Sequence, residues 1–457
     1  MGCGDDDEGA LLERDAAAAP ALVIDGAVRD GGLDAAPSPL DALASAPAQP
    51  SEDAGLVHGE RLVVSDSNAE RLYVFAADTG QLVADWPEVA VADHPGFLAL
   101  PDGRLLFVDG RTHELVSARI AGVETPSIQW RAAIAGEVAH VAVDPGAKWA
   151  VCSSASEQAG QPGTLTVVSL QDGTSKSAPV MTGEPGVAVG GDPLLVFHRN
   201  DAPPEFEAFS LDELRTGQAT ARFRVSIGEG PHGEVIAHSR NKIVSAAADG
   251  IYVVPYTATG FGSAVRVPYE VDGLSGGRAF YARLSGDGRY LYSYLRDDQL
   301  GEVPWSQWRN DIYIVDLESD TARRIPVGNG LVYRLGACKD LAAFTQYAPA
   351  GDLLYLLDAR QGSATFQTVI AKVPLEGLSK APAADGDVWA SEAFRITALS
   401  SDCRHAYVTH GGDGKVSVID TAQQRVVRTI TTPTALAYGG YLVSVQTDQP
   451  LFDTIGR

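Results

Sequence analysis

Histidines and carboxylates recur in this chain at one kind of place, just before or at the start of a short apolar run. They are His94 in DHPGF, Glu137 and His140 in GEVAHV, Glu184 in GEPGV, and His232 with Glu234 in GPHGEV. Imidazole and carboxylate together are the donor set of zinc and copper sites. The sequence has neither HExxH nor His-x-His spacing, so no single segment builds such a site. Only a repeat that places equivalent positions around a common axis would bring these residues together. The same positions in later segments carry other groups: Arg278 and Tyr281 in GGRAFYA, Arg334 in LVYRL, Arg395 in AFRIT. These are candidate residues for binding a protein partner or small ligand. A long insertion, RDDQLGEVPWSQWRND, adds Trp305, Trp308 and Arg309, residue types favoured at binding surfaces when a loop exposes them. The alternative is that both indoles pack down onto their own unit.

What must position these residues is legible in the repeat. HAYVTHGGDGKVSVIDTAQQRVVRTI (405–430) reads as three short β segments separated by a glycine-rich turn and a polar turn. RLVVSDSNAERLYVFAADTGQLVADW (61–86) has the same layout, and similar units recur about every 40 to 55 residues. Four short strands per unit, with Gly, Asp or Pro at the first hairpin, predict an all-β propeller. Innermost strands near 97, 140, 187, 235, 281, 333, 395 and 436 give eight blades, with seven as the alternative. The first unit lacks an innermost strand, so the C-terminal strand is expected to complete it. Insertions at SASEQAGQPG, RNDAPPE and RDDQLGEVPWSQWRND fall between second and third strands. That connection and the lead-in to each innermost strand share one face, which is therefore the expected functional face.

The unit at 405–430 resembles the YVTN-type bacterial propeller repeat, in its YVTN-like strand, VSVID strand and VVxTI strand. The resemblance implies architecture rather than activity. GEVAHVAVD and GPHGEVIAH are also similar to the periplasmic zinc-metallochaperone propellers. This implies His140 and His232 as zinc ligands, although the His-rich flexible segment of those proteins has no counterpart before His58.

Composition sets further limits. The 457 residues carry a formal net charge of −24, which argues against a nucleic-acid partner. No apolar run reaches the roughly 18 residues that span a bilayer. Residues 1–56 are rich in Ala, Asp, Pro and Gly without a sustained period, the composition of a disordered tether; 57–457 form the propeller. The tether opens MGCGDDDEG, which resembles the mature start of a bacterial lipoprotein with Cys3 as the lipidated residue, although no basic or apolar segment precedes it. This places the protein at the cell envelope, on the outer membrane, facing periplasm or surface. Cys338 and Cys403 occupy corresponding turns of neighbouring units and could pair in an oxidising compartment, if the turns come within disulfide reach. Cys152 reads as a buried thiol. Walker-loop and haem-attachment motifs do not occur, and no GxGxxG lies after a strand and before a helix. The expected function is a non-catalytic envelope propeller that binds a protein or small ligand on its loop-rich face. The alternatives are a chaperone for zinc or another divalent metal and, third, a hydrolase-type propeller.

Overall fold

The computed structural model describes residues 59–155, 162–180, 186–298, 303–389, 391–451 and 454–456. The tether, Cys3 and Glu184 lie outside the described residues. The rest is a ring of eight antiparallel sheets, nearly all of it β. Seven sheets begin with an innermost strand: Phe97–Ala99, Glu137–Val143, Gly186–Gly190, His232–Ala237, Ala282–Leu284, Leu331–Ala337 and Thr397–Leu399. We number these blades 2 to 8. Blade 1 contributes Arg61–Asp66, Arg71–Ala76 and Leu82–Pro87, and its innermost strand is Tyr441–Val445 from the far end of the chain. That strand pairs in register from Arg61↔Val445 to Ser65↔Tyr441. The expected eight blades and C-terminal closure are both present.

Burial along each strand follows from its place in the blade. Middle strands such as RLVVSD (61–66) and KVSVID (415–420) are buried at nearly every position, because each blade packs on a neighbour through both faces. Outer strands such as RVVRTIT (425–431) alternate between exposed and half-buried. This is the two-residue period of a strand with one wet face. The apolar cores accordingly lie between blades. Leu62, Val64, Tyr73 and Phe75 of blade 1 meet Tyr407, Val416, Val418 and Ile430 of blade 8, so closure of the ring is itself a hydrophobic core.

Beyond the closing strand the chain crosses the base of the channel, the end opposite the lead-ins. Thr447 bridges Asp102 of blade 2, and Ile455 pairs with Ala142 of blade 3. Thr454 Oγ1 reaches His238 Nε2 of blade 5 at 3.2 Å. A cavity of about 130 Å³ lies at this base, bounded by Arg283, Thr397, Ser400, Ser444, Gln449 and Ile455. It is remote from the lead-ins that carry the candidate residues.

Cys338 and Cys403 form a disulfide with Cα atoms 5.8 Å apart, tying the first turns of blades 7 and 8. That separation is within ordinary disulfide reach. Cys152 is a buried thiol. Not every expected insertion is one. Strands Leu195–Asp201 and Pro204–Ser210 leave only two residues between them, so RNDAPPE is a tight hairpin. The sequence pattern of alternating polar and proline residues conceals strands that pair as far as Asp201↔Pro204.

One buried acid ties closure to pH. Glu60 is 2% exposed, and its side chain accepts a hydrogen bond from Ser444 of the closing strand. Burial pushes its carboxyl up to about 7, against the lowering effect of Ser444. Between pH 4.5 and 7 the unfolded chain releases this proton while the folded chain keeps it. Stability is therefore lost as pH rises through that window, by roughly 3 kcal/mol for this group. Urea unfolding at pH 5 and pH 8 should show a drop in the native protein that is absent in Glu60→Gln. An equal drop in both would remove Glu60 as its source.

Candidate functional site: the channel mouth

Where the innermost strands begin, three of them bulge, and two of these bulges bring side chains of blades 3 and 5 together. Blade 3 shifts register between Val138 and His140, and blade 5 between His232 and Glu234. A β-bulge adds a residue and re-aims its neighbours. Glu234 extends past blade 4 to His140, with Oε1 3.2 Å from Nδ1. Its other oxygen accepts from Arg199 Nε at 3.1 Å. Blade 4 permits this because Gly186 stands in the way without a side chain. A Cβ there would come within 2.3 Å of the Glu234 carboxylate and 2.6 Å of Arg199 Nε. His94, exposed in the connection into blade 2, stacks on His140 with ring centroids 6.3 Å apart and planes 8° apart.

Burial, opposed by Glu234, holds the His140 imidazole below its ordinary pKa. A carboxylate facing Nδ1 favours the tautomer with its proton there. Nε2 is buried and has no hydrogen-bond partner. Glu137 stands exposed at the start of its strand, and His232 meets the Phe280 ring edge-on at 5.7 Å. Among the described residues, no three His, Cys, Asp or Glu side chains converge on a metal-sized site. The five candidate ligands therefore do not assemble as a set. His94, His140 and Glu234 come together, while His232 and Glu137 face other surroundings.

A third bulge, between Val332 and Leu335 of blade 7, places Arg334 at φ 60°. A non-glycine residue held in the left-handed region stores strain, and such residues cluster at functional sites. Arg334 Nη2 donates to the Tyr441 hydroxyl at 2.9 Å and lies 3.5 Å from Asp93 Oδ1. Tyr441 in turn donates to Asp93. The Asp93 side chain is 71% exposed, although the walls of the mouth stand around it. Enclosure pushes its carboxyl up, but Arg334, Tyr441 and His94 outweigh this and hold it below its ordinary value. The mouth is thus spanned from blade 7 through blade 1 to blades 3, 4 and 5 by neighbouring polar groups.

The remaining arc is built from arginines and rings. Arg278 and Arg296 lie 4.5 and 4.6 Å from the centroid of Phe280. Arg296 is also 4.9 Å from Trp389 and forms an ion pair with Asp298. Trp389 contacts Trp308, Tyr333 and Phe394 at 5.8 to 6.1 Å. Arg334 is 5.9 Å from the ring of Tyr281 and 5.4 Å from that of Tyr333.

Two expectations for this face are corrected. Trp305 and Trp308 are 3% and 5% exposed, so neither indole is presented to solvent. Trp305 stacks on Tyr347 at 5.0 Å and donates Nε1–H to Ala383 O; Trp308 donates to Val303 O. The connection 375–396 into blade 8 covers them, and a covering segment is invisible in their own local sequence. Arg395 is also buried, paired with Asp352 at 2.6 Å, and serves to pin blade 8 to blade 7. Arg309 is exposed and pairs with Asp297. Sequence reading missed Asp93, Arg199, Phe280, Arg296, Trp389 and Tyr441. Arg199 and Arg296 sit on second strands, whose role at the mouth appears only when the strand ends are known. Asp93 adjoins His94 and carried the available signal.

No family model matches this chain, and no curated protein matches it by sequence. Solved structures do match in shape. AztD from Citrobacter koseri, in its apo form, superposes with a TM-score of 0.59 at 14% identity, over 85% of this chain and 98% of that one. A second crystal structure of AztD gives 0.61 at 13% identity, with the same coverage. The likeness is one of fold. The dihydro-heme d1 dehydrogenase NirN, in complex with DHE, gives 0.58 at 13% identity over 90% of this chain and 79% of that one. One fold thus carries proteins of different kinds, and function must be argued from the mouth itself.

Proposed function

We propose that this protein is a non-catalytic binding propeller of the bacterial envelope that captures a ligand at the mouth of its channel. The observation that carries this reading is the mouth lining. Three strand bulges and one strained arginine turn polar side chains inward, onto the axis of a rigid ring. Binding sites recur where a rigid scaffold converges a few polar groups with aromatic ones. The reading is non-catalytic because two acids at the mouth are engaged by guanidinium groups, Glu234 by Arg199 and Asp93 by Arg334. A carboxylate held in this way is a poor proton acceptor. Thermal melting against organic anions, neutral aromatics and zinc chloride tests it. At least one probe should raise the Tm of the native protein and not that of Arg334→Asn, a variant whose side chain tolerates the left-handed backbone. Equal responses in both proteins for every probe would sink the reading.

The envelope assignment is supported by the Cys338–Cys403 disulfide, since such bonds persist in oxidising compartments. No helix among the described residues is long and apolar enough to cross a membrane. Anchoring is assigned to Cys3, in its acidic setting. Expressed behind a lipoprotein signal sequence, the protein should fractionate with membranes and Cys3→Ser should be released. A membrane-bound Cys3→Ser form would contradict lipid anchoring.

A second reading, binding of zinc or another divalent metal, is favoured by the state of His140. A carboxylate behind Nδ1 and an unpartnered Nε2 are the arrangement of a metal-binding imidazole with its orienting partner. The sequence resemblance to the zinc-metallochaperone propellers supports it too. His94 and His140 would hold the ion, and water or a cargo-borne group would complete its shell. Calorimetric titration with zinc should give binding that His94→Ala with His140→Ala abolishes; unchanged binding in that double variant rejects this reading.

A further inference from the structure

Arg278 differs from the other guanidinium groups around the mouth that have been described. Arg199, Arg296 and Arg334 each have a carboxylate within ion-pair distance. Among the described residues Arg278 has none. Its Nη2 donates to Gly230 O at 3.2 Å, and its buried Nε has no hydrogen-bond partner. It is half-buried, with its guanidinium against Phe280. A cation kept on a partly desolvated wall without a counter-charge is costly unless a ligand supplies one. The net charge of the chain is −24, so its overall field repels anions and a site for one must be built locally.

The wall beside Arg278 narrows the class of anion. Phe280, Tyr281, Tyr333 and Trp389 are all half-buried, and they alternate with arginines around the arc. Rings that keep part of their surface open offer stacking area to a flat ligand. A compact inorganic anion would gain the charge of Arg278 but nothing from these rings. An aliphatic carboxylate would gain less than an aromatic one from them. The planar guanidinium also suits a carboxylate, which it can meet with two parallel hydrogen bonds.

We propose that the mouth binds an aromatic carboxylate, its carboxylate seated on Arg278 and its flat body against the wall of Tyr281, Tyr333 and Trp389. This rests on the reading of the mouth as the ligand site and names the ligand class. It is independent of the His94–His140 pair, which lies on the opposite arc.

Three probes test it by calorimetry: 2-naphthoate, the neutral 2-naphthamide, and cyclohexanecarboxylate, which has the charge without the aromatic ring. The native protein should bind 2-naphthoate at least about tenfold more tightly than either of the others. Arg278→Gln should reduce 2-naphthoate affinity to the level of the amide, with an unchanged circular dichroism spectrum. Equal affinity for 2-naphthoate and 2-naphthamide overturns the proposal, as does 2-naphthoate binding that survives Arg278→Gln. If 2-naphthoate fails while a neutral probe or zinc still stabilises the native protein and not Arg334→Asn, the ligand class is wrong and the mouth remains the site. If no probe distinguishes Arg334→Asn, both fall together.

Discussion

Truncation after Thr432 should give a chain that is insoluble or has lost most of its stability. The deletion removes Tyr441–Val445, which pairs with Arg61–Asp66 along five residues. That strand would become an unpaired inner edge, a template for aggregation. The deletion also removes Leu436 and Leu442 from the core between blades 8 and 1, and Tyr441 and Val445 from the core between blades 1 and 2. Four such side chains, at about 1.5 to 3 kcal/mol each, amount to roughly 6 to 12 kcal/mol. The net stability of a folded domain is only about 5 to 15 kcal/mol. Urea unfolding with size-exclusion chromatography checks this. A soluble truncated monomer with the native midpoint would show that the C-terminal strand is not what closes the ring.

Replacing Trp305 and Trp308 together by Ala should cost about 5 kcal/mol or more. Single Trp→Ala changes in cores cost about 3 to 5 kcal/mol. These two share one cluster with Leu331, Tyr347, Val388 and Phe394, so their costs will not simply add. The urea midpoint should fall with little change in slope, because the fold is retained while packing is lost. The consequence for function is indirect. Trp308 supports Trp389, and Trp389 belongs to the arc at the mouth. A stability change below about 1 kcal/mol, combined with loss of ligand capture, would instead make the indoles contact groups.

The sequence by itself determined the architecture. Short apolar strands, tight polar turns and a unit of about 40 to 55 residues leave few options besides a radial repeat. The missing inner strand at 61–86 and the surplus strand near 441 specify how the ring closes. These features were readable because strand period and turn chemistry are local. A residue's neighbours in the chain carry most of the information.

The site was legible only in outline. His94, His140, Glu234, Arg278, Tyr281 and Arg334 stood out because the repeat assigned them equivalent positions at strand starts. Whether they meet was decided by three bulges, by a glycine at 186 and by the depth of the channel. None of these follows from spacing along the chain. A bulge shifts a side chain by one residue out of the repeat, and repeat reasoning assumes that no such shift occurs. For the same reason His232 and His140, matched in sequence, have different surroundings: the Phe280 ring edge meets one, and His94 and Glu234 flank the other. The fate of Trp305 and Trp308 depended on residues about 40 to 90 positions further on. Tyr347, Ala383 and Trp389 cover them. Loop composition can show that an indole is available for contact. Only packing decides whether the contact is with a ligand or with the protein's own next blade.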